Sequence, residues 1–179
     1  MERIFVKETT TRVGERVLLK GWVHQIRELG RIVFVLLRDG TGVIQMVAKT
    51  EPLLNKVKSL KSESVIEAIG EIQKRAPGNE NKEMATGSIE MALEDLTLIS
   101  PSETPPFAID QETSVTEENR LKYRYLDLRR ERLHRNLLKR HQILQFIRNF
   151  RSEKDFIEIE TPILSFATPE GARDYLVPA

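Results

Sequence analysis

The stretch Gly21–Val47, GWVHQIRELGRIVFVLLRDGTGVIQMV, leaves the chain few folding alternatives, because its apolar residues recur at strand spacing and its breaks carry turn residues. Val17–Arg27 alternates in part, Arg31–Arg38 is almost wholly apolar and rich in β-branched residues, and Gly42–Ala48 alternates again. Asp39-Gly40-Thr41-Gly42 separates the last two runs with residues that tolerate tight turns, which predicts an antiparallel hairpin. Glu28-Leu29-Gly30 makes a short connection between the first two.

The chain downstream continues the pattern. Glu51-Pro52-Leu53-Leu54 opens a helix, and Leu53, Leu54, Val57 and Leu60 lie on one face of it. That face can plug the end of a barrel. Val65–Gln73 alternates as a fourth strand, residues 75–82 form a polar loop, and Ile89–Ile99 reads as a fifth strand. Three strands, a helix and two strands is the order of an OB-fold barrel, a fold that binds oligonucleotides across its second and third strands and neighbouring loops. On such a surface Arg27 offers a cation, Phe34 a flat ring, and Gln45 an amide that both donates and accepts toward a base edge. From the residues alone Phe34, set between valines, reads as a core position sooner than as an exposed platform, since Phe ranks among the most buried residue types. Gln45, between Ile44 and Met46, must point outward or find buried partners.

Composition narrows the function classes. The 179 residues contain no cysteine, which excludes disulfides, thiolate metal sites and a cysteine nucleophile. The opening MERIFVKE has no apolar signal region, and no run approaches the roughly 20 apolar residues of a membrane helix, so a cytoplasmic protein is expected. The net charge of +1 hides an asymmetry: residues 120–151 hold 11 Lys or Arg against two acids, and the remainder is acidic. A split of this kind points to contact between the basic segment and a polyanion, against the plain alternative of a solvated helix face. His24, His134 and His141 are scattered, so neither a metal site nor a catalytic triad is indicated. Glu158 and Glu160 do not make a site either; on a strand they share a face at a solvent edge.

Ser100–Pro106, SPSETPP, ends the barrel, giving a domain over 1–104 and a hinge over 105–130. Ser114-Val115-Thr116-Glu117 has the pattern of a capping box, so helical structure resumes near Thr116. A long helix is predicted from Glu131 to about Ser152, with Leu133, Leu137, Leu144 and Ile147 in one stripe and Ile143, Phe146 and Phe150 widening it. An apolar arc of that width calls for a partner. Residues 156–162, FIEIETP, then predict a strand ending at Pro162.

GWV, an Arg four residues after the Val, then Gly, Phe, LRD, Gly and Gln in that order resemble the anticodon-binding domain of class II aspartyl-, asparaginyl- and lysyl-tRNA synthetases. LKYRYLDLRR, residues 121–130, is similar to the connecting segment of the same enzymes. The long helix, strand and Pro162 look like their motif 1, which pairs with its twin across a dimer two-fold. Residues 168–178, TPEGARDYLVP, resemble a loop of the bacterial aspartyl branch. The chain has Asp155 where this family often has Gly before the Phe, at a modest conformational penalty that the motif is expected to survive.

The resemblance implies an all-β OB-fold barrel followed by the α/β N-terminal part of a class II synthetase catalytic domain over 131–179, α+β overall. It implies that Phe34 is exposed and stacks on an anticodon base, that Arg27 and Gln45 contact anticodon bases, and that Arg124, Arg129 and Arg130 hold tRNA phosphates. Glu170 would receive the α-amino group of the amino acid, and Pro162 would lie at the homodimer interface. The complete enzyme would use ATP and Mg²⁺ and act on tRNA(Asp). The arginines of motifs 2 and 3 that meet ATP in this class have no counterpart in the chain, and no P-loop pattern replaces them. Aspartate–tRNA ligase kinship with an inactive isolated chain is therefore expected. The competing expectation is a non-catalytic tRNA-binding module derived from a synthetase, which would leave motif 1 with an uncovered strand edge and an unburied helix face.

Overall fold

The computed structural model describes residues 1–110 and 114–163. Alternation in the sequence becomes inside and outside. Strand β2, Ile32–Arg38, buries Val33, Val35 and Leu37 and turns Ile32, Phe34, Leu36 and Arg38 outward, because successive side chains on a strand point to opposite faces. It is flanked by β1 (Arg16–Leu29) and β3 (Val43–Ala48), both antiparallel to it. Strands β4 (Val65–Lys74) and β5 (Ile89–Ser100) complete a closed barrel in the order β1-β2-β3-β5-β4, with β3 and β5 parallel. The OB-fold expectation is met; β1, β4 and β5 run one or two residues past the ends the pattern indicates, whereas β2 and β3 each begin one residue later. Closure removes the free strand edges that an open sheet of this size would expose.

Helix α1, Glu51–Lys58, lies between β3 and β4 in sequence. Its Leu53 and Val57, with Leu60 just beyond, join the barrel core formed by Leu19, Val35, Leu37, Ile44, Met46, Ile66, Ile72 and Met91. Gly21 leaves room for a close approach of the β2 backbone: a Cβ there would stand 2.3 Å from the Arg38 carbonyl oxygen. The β2–β3 turn is held by a buried carboxylate. Asp39 Oδ1 accepts from the Thr41 and Gly42 amides at 2.7 and 3.1 Å, while Oδ2 accepts from the Val6 amide at 2.8 Å. One side chain thus fixes the hairpin and pins the short 3₁₀ turn Val6–Thr11.

The residues fall into two compact units, Met1–Glu131 and Arg132–Ala179. In the first, the barrel is followed by two short helices, α2 (Glu117–Lys122) and α3 (Arg124–Asp127). The N-cap is Thr116 rather than Ser114: its hydroxyl accepts from the Asn119 amide at 3.4 Å, the geometry of a first helical turn. Asp127 is fully buried and accepts from Arg120 at 3.2 Å and Arg124 at 2.6 Å, with Arg130 at 3.7 Å.

Helix α4, Glu131–Ser152, carries the long amphipathic pattern into the second unit. It ends as the sequence requires. Asp155 takes φ +63°, its amide donates to the Ser152 carbonyl at 3.1 Å, and the Phe156 amide donates to the Arg151 carbonyl at 3.1 Å. That pair of bonds is a Schellman cap, with Asp in the place where Gly is usual. The expected strand over 156–162 is not formed among the described residues: a strand exists through ladder bonds to a neighbour, and this segment has none there and is exposed. Glu158 instead accepts both the Nε and Nη2 of Arg148, at 2.9 and 3.0 Å.

Candidate nucleic-acid interface

Barrel register decides which outward side chains meet. Arg27 on β1 lies directly opposite Phe34 on β2, and Phe34 lies opposite Val47 on β3. In the next outward row Gln25, Leu36 and Gln45 are aligned. Cross-strand neighbours stand about 5 Å apart and diagonal ones about 7–8 Å, so Arg27, Phe34 and Gln45 occupy one small patch. Phe34 lies outside the core cluster and is half-buried on the outward side of β2. The ambiguity that alternation alone left at this position is thereby resolved toward the surface.

The two polar members are oriented by neighbours. Arg27 Nε donates to Gln25 Oε1 at 3.0 Å, which leaves the terminal nitrogens of an exposed guanidinium as donors for another group. Gln45 Nε2 donates to Glu90 Oε2 at 2.8 Å, which sets the amide and leaves its oxygen as an acceptor. Arg75, at the start of the β4–β5 loop, stands 4.0 Å from the same Glu90 oxygen; its Nε donates to the Ile89 carbonyl at 3.0 Å and its buried Nη2 has no partner. A ring, a guanidinium and a held amide on one face can stack a base and bond its edges without rearranging.

The hinge arginines are placed differently from expectation in one respect. Arg124 and Arg130 face buried Asp127, and Arg129 Nη1 donates to Glu63 Oε2 at 2.7 Å, so each is engaged with a carboxylate of its own chain. Glu170 and the loop around it lie outside the described residues. Pro162 is described and exposed. No three His, Asp or Glu side chains converge as a metal site among the described residues, and no described helix is long and apolar enough to cross a membrane.

Two features escaped the sequence. Glu90 and Gln25 orient Gln45 and Arg27, yet Glu90 lies 45 residues from its partner and meets it only through the barrel's closure. The second is a cluster at the far end of the same face. Arg38 Nη2 and Arg129 Nη1 both donate to Glu63 Oε2, and both guanidiniums lie over the Trp22 ring. Arg38 Nη1 also approaches His24 Nδ1 at 3.0 Å. Burial, and then the positive charge of Arg38, hold the His24 pKa below the usual imidazole range.

Comparisons with known proteins agree with this architecture. Residues 17–99 match the family described as OB-fold nucleic acid binding domain, and residues 116–179 match tRNA synthetases class II (D, K and N). The chain is 47% identical over 171 residues to the aspartate–tRNA(Asp/Asn) ligase of Rubrobacter xylanophilus, covering 94% of this chain and 28% of that protein. It is 48% identical over 172 residues to the aspartate–tRNA ligase of Geobacillus kaustophilus, covering 94% of this chain and 29% of that protein. The chain therefore spans under a third of the length of these relatives. Among solved structures, asparaginyl-tRNA synthetase from Pyrococcus horikoshii superposes with a TM-score of 0.80 at 26% identity, over 96% of this chain and 39% of its own. Aspartyl tRNA synthetase from Entamoeba histolytica gives a TM-score of 0.82 at 19% identity, over 95% of this chain and 41% of its own, a likeness of fold. With both halves matched in the expected order and nearly half of all aligned residues identical, the chain belongs to the aspartyl-tRNA synthetase family and corresponds to its N-terminal region, an OB-fold anticodon-binding domain followed by the start of a class II catalytic domain.

Proposed function

We propose that this chain supplies the tRNA-reading part of an aspartate–tRNA ligase, an enzyme that joins aspartate to tRNA(Asp) at the expense of ATP. Residues 1–104 act as the reader, 105–130 as the hinge and 131–179 as the beginning of the catalytic domain. Phe34 stacks on an unpaired anticodon base, Arg27 contacts a neighbouring base or phosphate, and the Gln45 amide reads a base edge. The observation that carries this reading is the outward patch in which Arg27, Phe34 and Gln45 are cross-strand neighbours. Arg124, Arg129 and Arg130 are assigned to the tRNA backbone, each requiring exchange of a carboxylate partner for a phosphate. Glu170 receives the amino group of aspartate. The apolar face of α4 and Pro162, ten residues beyond the end of that helix, form the homodimer contact. The setting is the cytoplasm.

ATP and Mg²⁺ belong to the complete enzyme. Among the described residues no three His, Asp or Glu side chains come together as a metal site. The experiment is a binding titration of the chain with the anticodon hairpin of tRNA(Asp) and with hairpins altered in the anticodon bases. Phe34→Ala is expected to weaken the cognate hairpin by about tenfold to a hundredfold, the worth of one base–aromatic stack. Equal affinity for all hairpins, or no effect of the substitution, contradicts the reading. Aspartate-dependent ATP–pyrophosphate exchange by this chain alone would contradict the division of labour.

A further inference from the structure

Glu63 is built at a cost. It is a non-glycine residue at φ +67°, a left-handed conformation in which an ordinary side chain is strained. Its carboxylate is buried, and Oε1 has no hydrogen-bond partner. Desolvating a charged oxygen without a partner is unfavourable, so the residue must return something specific. What it provides is Oε2, which accepts from Arg38 Nη2 at 2.8 Å and from Arg129 Nη1 at 2.7 Å. Arg38 comes from the sheet that carries Phe34, whereas Arg129 comes from the hinge, 66 residues along the chain from Glu63. Both guanidiniums lie over the ring of Trp22, 5.8 and 5.3 Å from its centroid.

We propose that Glu63 is a positioning residue that fastens the hinge to the outer face of the barrel, with Arg129 as the strap and Trp22 as the surface on which it lies. The two arginines depend on the carboxylate unequally. Arg38 is anchored by the β2 ladder and by His24, and its side chain is 16% exposed; the Arg129 side chain is 39% exposed and leaves from the end of a short helix. Both nitrogens reach the same oxygen, so loss of its charge leaves two like charges facing each other. The less anchored cation departs, and the hinge goes with it. The barrel stays closed, because Glu63 contributes no side chain to its core. This fastening concerns how the hinge is held and stands apart from the reading of RNA by Phe34.

The chain offers its own reporter, since Trp22 is its single tryptophan. Two variants separate fastening from folding. Glu63→Gln removes the charge and keeps the shape, while Glu63→Asn removes the carboxylate and suits the left-handed backbone better than Glu does. In both, amides 124–130 are expected to exchange hydrogen about tenfold to a hundredfold faster, the range for a lost charged hydrogen bond. Strand amides of β1–β5 should stay within about twofold of the parent chain in Glu63→Asn, and quenching of Trp22 by acrylamide should rise in both variants. Arg129→Met should release the hinge to the same extent, and combining it with Glu63→Gln should add nothing, as expected for two members of one contact. Hinge exchange unchanged in Glu63→Gln, hinge and strands loosened together in Glu63→Asn, or additive effects in the double variant would each overturn the proposal.

Discussion

The barrel and helix α4 are both amphipathic in sequence, and they meet opposite fates. Leu19, Val35, Leu37, Ile44 and Met46 are wholly withdrawn from solvent by the other strands, whereas α4 buries none of its residues among those described. Phe146 on α4 is 67% exposed although it stacks on Phe150 with ring centroids 6.1 Å apart. A closed sheet supplies its own partner for every inward side chain. A single helix cannot, and its apolar arc states a need that its own residues do not meet.

The comparison is broken most directly by truncation. Leu37→Ala is expected to destabilise the barrel by about 2–5 kcal/mol, as deletion of a buried leucine does, measured by urea unfolding. Phe146→Ala should change the unfolding of this chain by no more than about 0.5 kcal/mol, as for a surface substitution. Comparable losses at the two positions would mean that α4 buries its face after all. A titration with protein concentration sharpens the contrast, because self-association through that face would make the Phe146 effect appear only where the chain is associated.

How much of this was legible in the sequence follows from the same difference. Strand alternation gave the barrel and the identity of its inward residues, since a period of two leaves no freedom once one face is buried. It did not decide Phe34, because alternation says that two faces exist and not which is wet. The family resemblance supplied that choice, and the register of β1, β2 and β3 supplied the geometry. The partners of Gln45 and Arg38 were illegible: Glu90 and Glu63 reach them across 45 and 25 residues through closure of the barrel, and no local pattern encodes such a meeting. The segment 156–162 shows the converse limit, a strand-like local pattern that finds no ladder partner among the described residues.

A smaller effect tests the electrostatics of the barrel's polar end. Burial, and then the charge of Arg38, hold the folded pKa of His24 below the ordinary imidazole value of 6.5, so the folded state favours the neutral ring. Between the two pKa values the unfolded chain binds more protons than the folded one. Stability is therefore full above pH 6.5 and is lost as pH falls toward the folded pKa. Unfolding followed from pH 7.5 to 5 should show this decline, and His24→Gln should flatten it. An unchanged slope in that variant would place the proton uptake elsewhere; α4, whose His134 and His141 are exposed, offers no comparable buried group among the described residues.

The central claim is that unpaired RNA bases are read on the outer face of the barrel around Phe34. The most direct measurement is a backbone and side-chain NMR titration of the chain with the anticodon hairpin. The account predicts saturable shifts concentrated at Arg27, Phe34 and Gln45 and the residues that hold them, Gln25 and Glu90. Shifts confined to the basic helix α4, with the Phe34 ring unaffected, would contradict it.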